Sequence, residues 1–281
     1  MNRLLALSDL HVGYAKNREA LAAMAPQPDA GLVVAGDIGE TDAQLAWTFD
    51  LLTKKFARLY WTPGNHELWT PTAEAPRGDA RYRRSVEIAR AFGVRTPEDP
   101  FDAWPGLPLV IAPVFVGYDY SFGPDGFSPA EARAWAAEEG IRCADETYLY
   151  PDPFPTREAW CAERVRITEA RLAEVPPGTR IVLIAHWPLR RDLVRLYRIP
   201  RFIVWCGTRA TEDWHRRFPI DVVVSGHLHM RATDWRDGVR FEEVSLGYPA
   251  HWKPETGPDG YLRTILPRPP VQPDGGPVWH R

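Results

Sequence analysis

Thiols, lysines, one-sided charge and long apolar runs are all scarce in this chain, and each scarcity closes a route. The three cysteines, Cys143, Cys161 and Cys206, are odd in number and stand in no Cys-x-x-Cys pairing, which argues against a disulfide framework and against a thiolate metal site. A reducing cytoplasm is the expected compartment. No apolar run is long enough to cross a bilayer, and the few apolar residues of Met1–Ala6 are followed at once by Asp9 and His11, so neither a membrane partner nor a signal-peptide core is expected. The net charge is −3 without a long block of either sign. That disfavours non-specific binding to nucleic acid or to a membrane surface, makes a nuclease an unfavoured reading, and points to small, specific substrates. Only Lys16, Lys54, Lys55 and Lys253 are lysine, leaving 30 arginines among the 34 basic residues, a bias that genome composition explains as well as any demand for guanidinium chemistry.

What is present is enough for a sizeable core: 281 residues, 44% of them hydrophobic, suit one large domain or two small ones. Leu4–Leu7, Leu32–Ala35, Leu59–Trp61, Ile181–Ala185 and Val222–Val224 are short, continuous apolar runs, the pattern of strands buried on both faces. Helices are expected at Lys16–Met24, at Ala43–Lys54 behind a cap at Thr41 or Asp42, and at Arg81–Phe92, with short strands at Leu109–Ile111 and Val114–Val116. Alternating strands and helices argue an α/β fold. From Tyr118 to Pro177 the character changes: helical candidates at Pro129–Glu139 and Thr156–Glu174 flank a stretch rich in proline, aromatics and acids. It reads as an insertion, either a cap over a substrate pocket or a structural embellishment. Arg231–Trp235 and Val239–Leu246 form a hairpin around Asp237-Gly238, and a second, more antiparallel sheet is expected there. One domain over 1–266 is expected, followed by a Pro/Gly-rich tail over 267–281 that trails over the surface or is disordered.

Five short motifs punctuate the strands: Asp9-Leu10-His11, Gly36-Asp37-Ile38-Gly39-Glu40, Gly64-Asn65-His66-Glu67, Ala185-His186 and Gly226-His227-Leu228-His229. Each ends an apolar run, where rigid secondary structure can hold several ligands around one point. Carboxylate, carboxamide and imidazole without thiolate suit manganese, iron or zinc, whereas magnesium and calcium prefer all-oxygen shells. Gly36, Gly64 and Gly226 precede ligands where the chain turns sharply and the backbone must approach the ions. His215, His251 and His280 lie outside the motifs and read as ordinary polar residues.

These motifs resemble those of calcineurin-like metallophosphoesterases. The resemblance implies a four-layer α/β/β/α sandwich of two facing mixed sheets flanked by helices, here with a helical insertion. It also implies two metal ions, manganese and/or iron with zinc as the other fitting ion. By the same resemblance Asp9, His11 and His229 would bind the first, Asn65, His186 and His227 the second, and Asp37 would bridge them. His66 would stand beside the metals as general acid or charge stabiliser, and Glu40 would orient it. Glu67 is either a partner of the site or one end of a structural salt bridge.

Four further stretches are similar to actinobacterial phosphopantetheinyl hydrolases: Trp61–Trp69, Pro155–Cys161, Trp205–Thr208 with Asp213–His215, and Asp237–Ser245. That resemblance implies hydrolysis of a phosphodiester by a metal-bridging hydroxide, releasing 4′-phosphopantetheine from a holo acyl or peptidyl carrier protein. The alternative is a phosphatase or phosphodiesterase for a small metabolite or nucleotide. A non-catalytic binding scaffold is disfavoured, because every ligand position and His66 are filled. An acidic carrier would meet Arg190, Arg191 and Arg195, in a segment that continues through Arg198 and Arg201, or else Arg81, Arg83 and Arg84 after Arg77; both sets read equally well as solvated faces. Tyr118, Asp119, Tyr120 and Trp205 would line a pocket for a pantetheine arm or, as aromatics more often do, belong to the core.

Overall fold

The apolar strands divide their side chains between two cores, residue by residue. In β1 (Arg3–Leu7), Leu5 and Leu7 face one core while Leu4 and Ala6 face another. β2 (Gln27–Val34) and β3 (Phe56–Trp61) repeat the division, with Leu32, Val34, Leu59 and Trp61 on the first side and Val33 and Tyr60 on the second. Both faces are covered, so no alternate position is free to be polar and the strands read as unbroken apolar runs. The computed structural model from which this architecture is drawn describes residues 3–70, 72, 75–270 and 276–280.

β1, β2 and β3 are parallel neighbours, joined through α1 (Ala15–Ala23) and α2 (Asp42–Thr53), which cover the outer face. Thr41 caps α2: its hydroxyl accepts from Gln44 N at 3.2 Å, and the Gln44 side chain accepts from Thr41 N at 3.0 Å. After β3 come a single turn, α3 (Asn65–Leu68), and α4 (Gly78–Ala91), whose Tyr82, Val86 and Ala89 join the same outer core.

The chain then crosses to a second sheet. It lays down β4 (Asp102–Ala103) and β5 (Leu109–Pro113), passes through α5 (Pro129–Glu138), α6 (Asp145–Tyr148) and α7 (Arg157–Ala173), and returns as β6 (Arg180–Ile184). α8 (Trp214–Arg217) precedes β7 (Ile220–Ser225), and the hairpin β8 (Ala232–Arg236) and β9 (Val239–Glu243) follows. β10 (Arg263–Leu266) pairs antiparallel with β1 in the first sheet, and β11 (Val278–Trp279) pairs antiparallel with β8 at the edge of the second. The second sheet has the order β11-β8-β9-β7-β6-β5-β4, with β5, β6, β7 and β9 parallel. Val182, Ile184, Val222 and Val224 meet the inner residues of the first sheet, while Ile181, Leu183 and Val223 face α7 and α8. The result is the expected α/β/β/α sandwich.

Three details depart from the sequence reading. Val114–Val116 is no second strand: Val114 N still donates to Ile184 O at 2.8 Å, but β6 ends there and offers no further partner. α7 belongs to the core, connecting the parallel strands β5 and β6 and packing Cys161, Val165 and Leu172 on the second sheet. In the tail, Val278 and Trp279 pair with Thr233 and Ala232 rather than trailing free; two residues carry no periodicity by which a strand is recognised. Positions 271–275 and 281 of that tail lie outside the described residues.

Candidate metal centre

All five motifs lie just beyond the C-terminal ends of β1, β2, β3, β6 and β7, strands that run parallel within their sheets. The chain turns sharply after β1, β2 and β7, and the backbone records it: Asp9, His11, Asp37, His227 and His229 have φ of 53°, 42°, 55°, 72° and 52°. A non-glycine residue in this left-handed region costs roughly 1 kcal/mol or more and persists only where the surroundings over-determine it. Here the loops lock one another. Asp9 N donates to Gly36 O (2.9 Å), His11 N to Asp37 O (3.0 Å), Gly247 N to Asp9 O (3.0 Å) and Gly226 N to His186 O (2.9 Å).

The side chains expected as ligands converge into two groups, which a third, His11, Asp37 and His66, overlaps and connects. Asp9, His11 and His229 have donor atoms within 4.8 Å of one another, and so do Asp37, His186 and His227. In the first group, His229 Nε2 lies 3.0 Å from Asp9 Oδ1 and 3.2 Å from His11 Nε2. In the second, His186 Nε2 lies 3.2 Å from His227 Nδ1, 3.3 Å from Asn65 Oδ1 and 3.6 Å from Asp37 Oδ1. Donor atoms bound to one ion at about 2.1 Å stand about 3.0–3.4 Å apart, so these spacings suit shared cations.

Protonation makes the same argument. His186 Nδ1 lies 2.8 Å from Ala35 O, a contact in which the ring must donate. A neutral ring then presents a bare lone pair at Nε2, directed at the oxygens of Asn65 and Asp37, which are acceptors too. Acceptors packed together without a proton repel unless a cation sits among them, so the residues present fit a dinuclear metal centre. Burial disfavours the charged form of His11, His186 and His227 and holds all three below the ordinary histidine range, the neutral form in which imidazole ligates. Burial also opposes the charges on Asp9 and His229, but their mutual attraction outweighs it, lowering Asp9 well below the usual carboxylate range and raising His229. Asp37 goes the other way: burial, with Asp9 and Glu67 nearby, pushes it well above that range.

Around these side chains lies a shell of partners that aims them. Asp9 Oδ2 accepts from Ser8 Oγ (2.6 Å), Ser245 Oγ (2.7 Å) and His227 N (3.0 Å). Asn65 Nδ2 donates to Asp145 Oδ1 at 3.0 Å, leaving its own Oδ1 turned to His186. Glu67 makes no ion pair in the described structure. Its carboxylate accepts from the backbone N of Asp37 (3.0 Å), Ile38 (2.6 Å) and Gly64 (2.7 Å), tying the loops after β2 and β3 together. Gly64 is required by contact: a Cβ there would stand 2.1 Å from Asp37 Oδ1.

His66 stands at the edge of the pair of groups. Its Nδ1 lies 3.0 Å from Glu40 Oε1 and its Nε2 lies 3.8 Å from Asp37 Oδ2. Burial disfavours a charged ring, but Asp37 and Glu40 outweigh it and raise the imidazole to about 9. With Nδ1–H held by Glu40, Nε2 is the nitrogen free to exchange a proton.

A cavity of about 320 Å³ opens over the site, with Asp37, Asn65, His66 and His227 in its floor and Arg142, Leu196, Ile199 and Phe202 in its walls. Tyr248 and His251 also line it. His251, read from sequence as an ordinary polar residue, places its Nδ1 3.0 Å from His229 Nδ1, and Tyr248 packs its ring 4.4 Å from that of His11. Nothing in their local sequence marks either, because both lie in an irregular segment after β9. Tyr118, Tyr120 and Trp205 are core residues, buried to 3%, 3% and 1% exposure.

The arginines expected to face a carrier protein also have partners within the chain. Arg81 is buried, and its guanidinium clamps Asp42, Glu67 O and Glu40 O; it is withdrawn from any partner surface, because helix α4 turns this position inward. Arg83 pairs with Asp79, Arg84 with Asp42 and Arg190 with Asp192. Arg195 grips both oxygens of Asp234 at 2.8 Å, and Arg191 donates to Phe122 O at 2.7 Å. None of the six lines the cavity.

Residues 2–231 match the calcineurin-like phosphoesterase family. The chain belongs to that family. As a calcineurin-like phosphoesterase it is a metal-dependent hydrolase of phosphoric esters, and the family implies the dinuclear centre for which the grouped donors are suited. The phosphoesterase is 45% identical over 276 residues to the [acyl-carrier-protein] phosphodiesterase PptH of Mycobacterium tuberculosis, covering 96% of this chain and 85% of that protein. It also superimposes on the crystal structure of phosphopantetheinyl hydrolase (PptH) from Mycobacterium tuberculosis with a TM-score of 0.89 and 46% identity, over 96% of this chain and 98% of that one. Among the described residues, no helix is long and apolar enough to cross a membrane.

Proposed function

We propose that this phosphoesterase cleaves the diester between 4′-phosphopantetheine and the serine of a holo acyl or peptidyl carrier protein. The observation that carries the reading is the near full-length similarity to an acyl-carrier-protein phosphodiesterase, in sequence and in structure. The cavity beside the site supports it: about 320 Å³ with Leu196, Ile199 and Phe202 along one wall suits an extended, mostly uncharged arm.

Asp9, His11 and His229 would hold one cation, Asn65, His186 and His227 the other, and Asp37 would reach both. The nitrogen and oxygen donor set favours manganese or iron, with zinc as the other fitting ion. Such cations withdraw charge from phosphoryl oxygens and acidify water. His66 Nε2 gives its proton to the departing serine oxygen as the P–O bond breaks, and Glu40 keeps that nitrogen aimed and protonated. Water supplies the oxygen that replaces serine on phosphorus, so the products are apo carrier and 4′-phosphopantetheine. The cytoplasm remains the proposed compartment, consistent with three free, buried cysteines.

The test is mass spectrometry of holo carrier protein incubated with manganese-loaded enzyme, beside a metal-stripped control and phosphate release from simple monoesters. Conversion of holo to apo carrier, lost on stripping, is expected. Turnover of monoesters alone would overturn the substrate assignment and favour a small-metabolite phosphatase.

A further inference from the structure

Two rims enclose the mouth of the cavity, and both are fixed. Residues 142–144 are tied down through Asp145, whose Oδ1 accepts from Asn65 Nδ2 (3.0 Å) and Trp69 Nε1 (2.7 Å) and whose backbone O accepts from Arg157 (2.7 Å). Residues 196–202 are held at one end by Arg195 on Asp234 and at the other by Arg201, which reaches Glu138 and the carbonyl of Trp135 on α5. On these rims Arg142 and Arg198 are exposed, and neither guanidinium meets a carboxylate or carbonyl among the described residues. Beside Arg198 stand Tyr197, 79% exposed, and Ile199, 43% exposed.

Resting on the carrier-protein reading, we propose that Arg142 and Arg198, with the apolar contact of Tyr197 and Ile199, form the docking surface for a carboxylate-bearing face of the carrier beside its phosphorylated serine. The reacting diester has a single negative charge, which the proposed pair of cations, with His66, would already match. Further positive charge at the rim therefore suits anions on the body that presents the phosphate. Rigid rims keep these cations at a set distance from the site without internal partners to be displaced, which favours fast, oriented encounter. The arginines set aside above are already engaged with this chain's own groups.

The experiment is steady-state kinetics on holo carrier at about 50 and 300 mM salt, a range over which exposed charges are progressively screened. Charge reversal in the double variant Arg142→Glu/Arg198→Glu is expected to raise KM for holo carrier about tenfold or more and to flatten the salt dependence of kcat/KM. Arg142→Lys/Arg198→Lys should restore most of the salt dependence. A double glutamate variant that melts like wild type yet keeps KM and salt dependence would overturn the docking surface. Failure of the wild-type enzyme to convert holo carrier overturns the substrate reading, and this contact with it.

Discussion

His251 Nδ1 lies 3.0 Å from Nδ1 of His229, whose Nε2 points to Asp9 and His11. Two ring nitrogens at that distance share one proton; were His229 to ligate through Nε2, as proposed, the proton would sit on its Nδ1 and be accepted by His251. Partners of this kind fix the tautomer and plane of a ligating ring. Their loss typically costs 10–100-fold in metal affinity, so His251→Ala is expected to lower retention of one of the two metals by about that factor. Metal content after dialysis against graded chelator would show it; two metals held as tightly as in wild type would remove His251 from this role.

Glu40 and Asp37 together hold His66 above the ordinary histidine range, to about 9. Cations held beside Asp37 would take up its charge, so in the loaded enzyme Glu40 would carry more of the upward effect. As the proposed acid, His66 would act only while protonated, so activity should fall as pH rises through its pKa, and removing the Glu40 charge should lower that pKa. Glu40→Gln is therefore expected to move the alkaline limb of kcat to lower pH. His66→Asn should fold normally and lose about 10²-fold or more in kcat on an alkyl diester, where the leaving oxygen needs a proton. On a nitrophenyl diester, whose leaving group departs unassisted, the loss should be much smaller; equal losses on both would argue against proton donation.

Gly64 has ordinary extended geometry, with φ −96°, so alanine meets no conformational obstacle there. The obstacle is contact: its Cβ would stand 2.1 Å from Asp37 Oδ1 and 2.7 Å from His186 Cε1. Gly64→Ala must push apart two side chains of the second donor group, and overpacking of this sort costs about 1–3 kcal/mol. The expected result is a lowered melting temperature together with metal content reduced to one ion or fewer, measured by elemental analysis. Retention of both metals would show that the loop has more slack than the contacts allow.

The donors of this site are legible because each terminates a strand buried on both faces. Leu4–Leu7, Leu32–Ala35 and Val222–Val224 mark those strands as unbroken apolar runs, and Asp9, Asp37 and His227 follow where the run stops. His251, Tyr248, Asp145 and Ser245 are not legible in the same way. Each is a single polar or aromatic residue in an irregular segment or at its edge, and acquires its role from a neighbour far away in sequence, as Asp145 does from Asn65. Glu67 is half legible: its position in the motif is visible, but that it binds three backbone N–H groups depends on how the loops after β2 and β3 meet. The arginines show the opposite failure. A cluster in sequence says nothing of internal pairing, and Arg81, followed by exposed Arg83 and Arg84, is buried because helix geometry turns that position inward.

Where β9 and β10 approach each other, Arg240 and Glu242 are both fully buried, 3.4 Å apart at their nearest charged atoms. Burial lowers Arg240, and only its Nη2 finds a hydrogen bond, to Ile265 O at 2.6 Å, while Nε and Nη1 have none. Glu242 is better served: Oε2 accepts from Thr233 Oγ1 at 2.6 Å and from Arg263 Nε at 2.9 Å. The two ends of the pair should therefore respond unequally. Arg240→Met removes a poorly satisfied buried cation and leaves Glu242 with Arg263, so its cost should fall well short of the roughly 3–5 kcal/mol typical of breaking a buried ion pair. Glu242→Leu leaves Arg240 buried beside Arg263 without its counter-charge and should cost about 3–5 kcal/mol. Urea unfolding of the two variants measures the difference, and equal losses would mean that the pair stabilises the junction of the sheets as a unit.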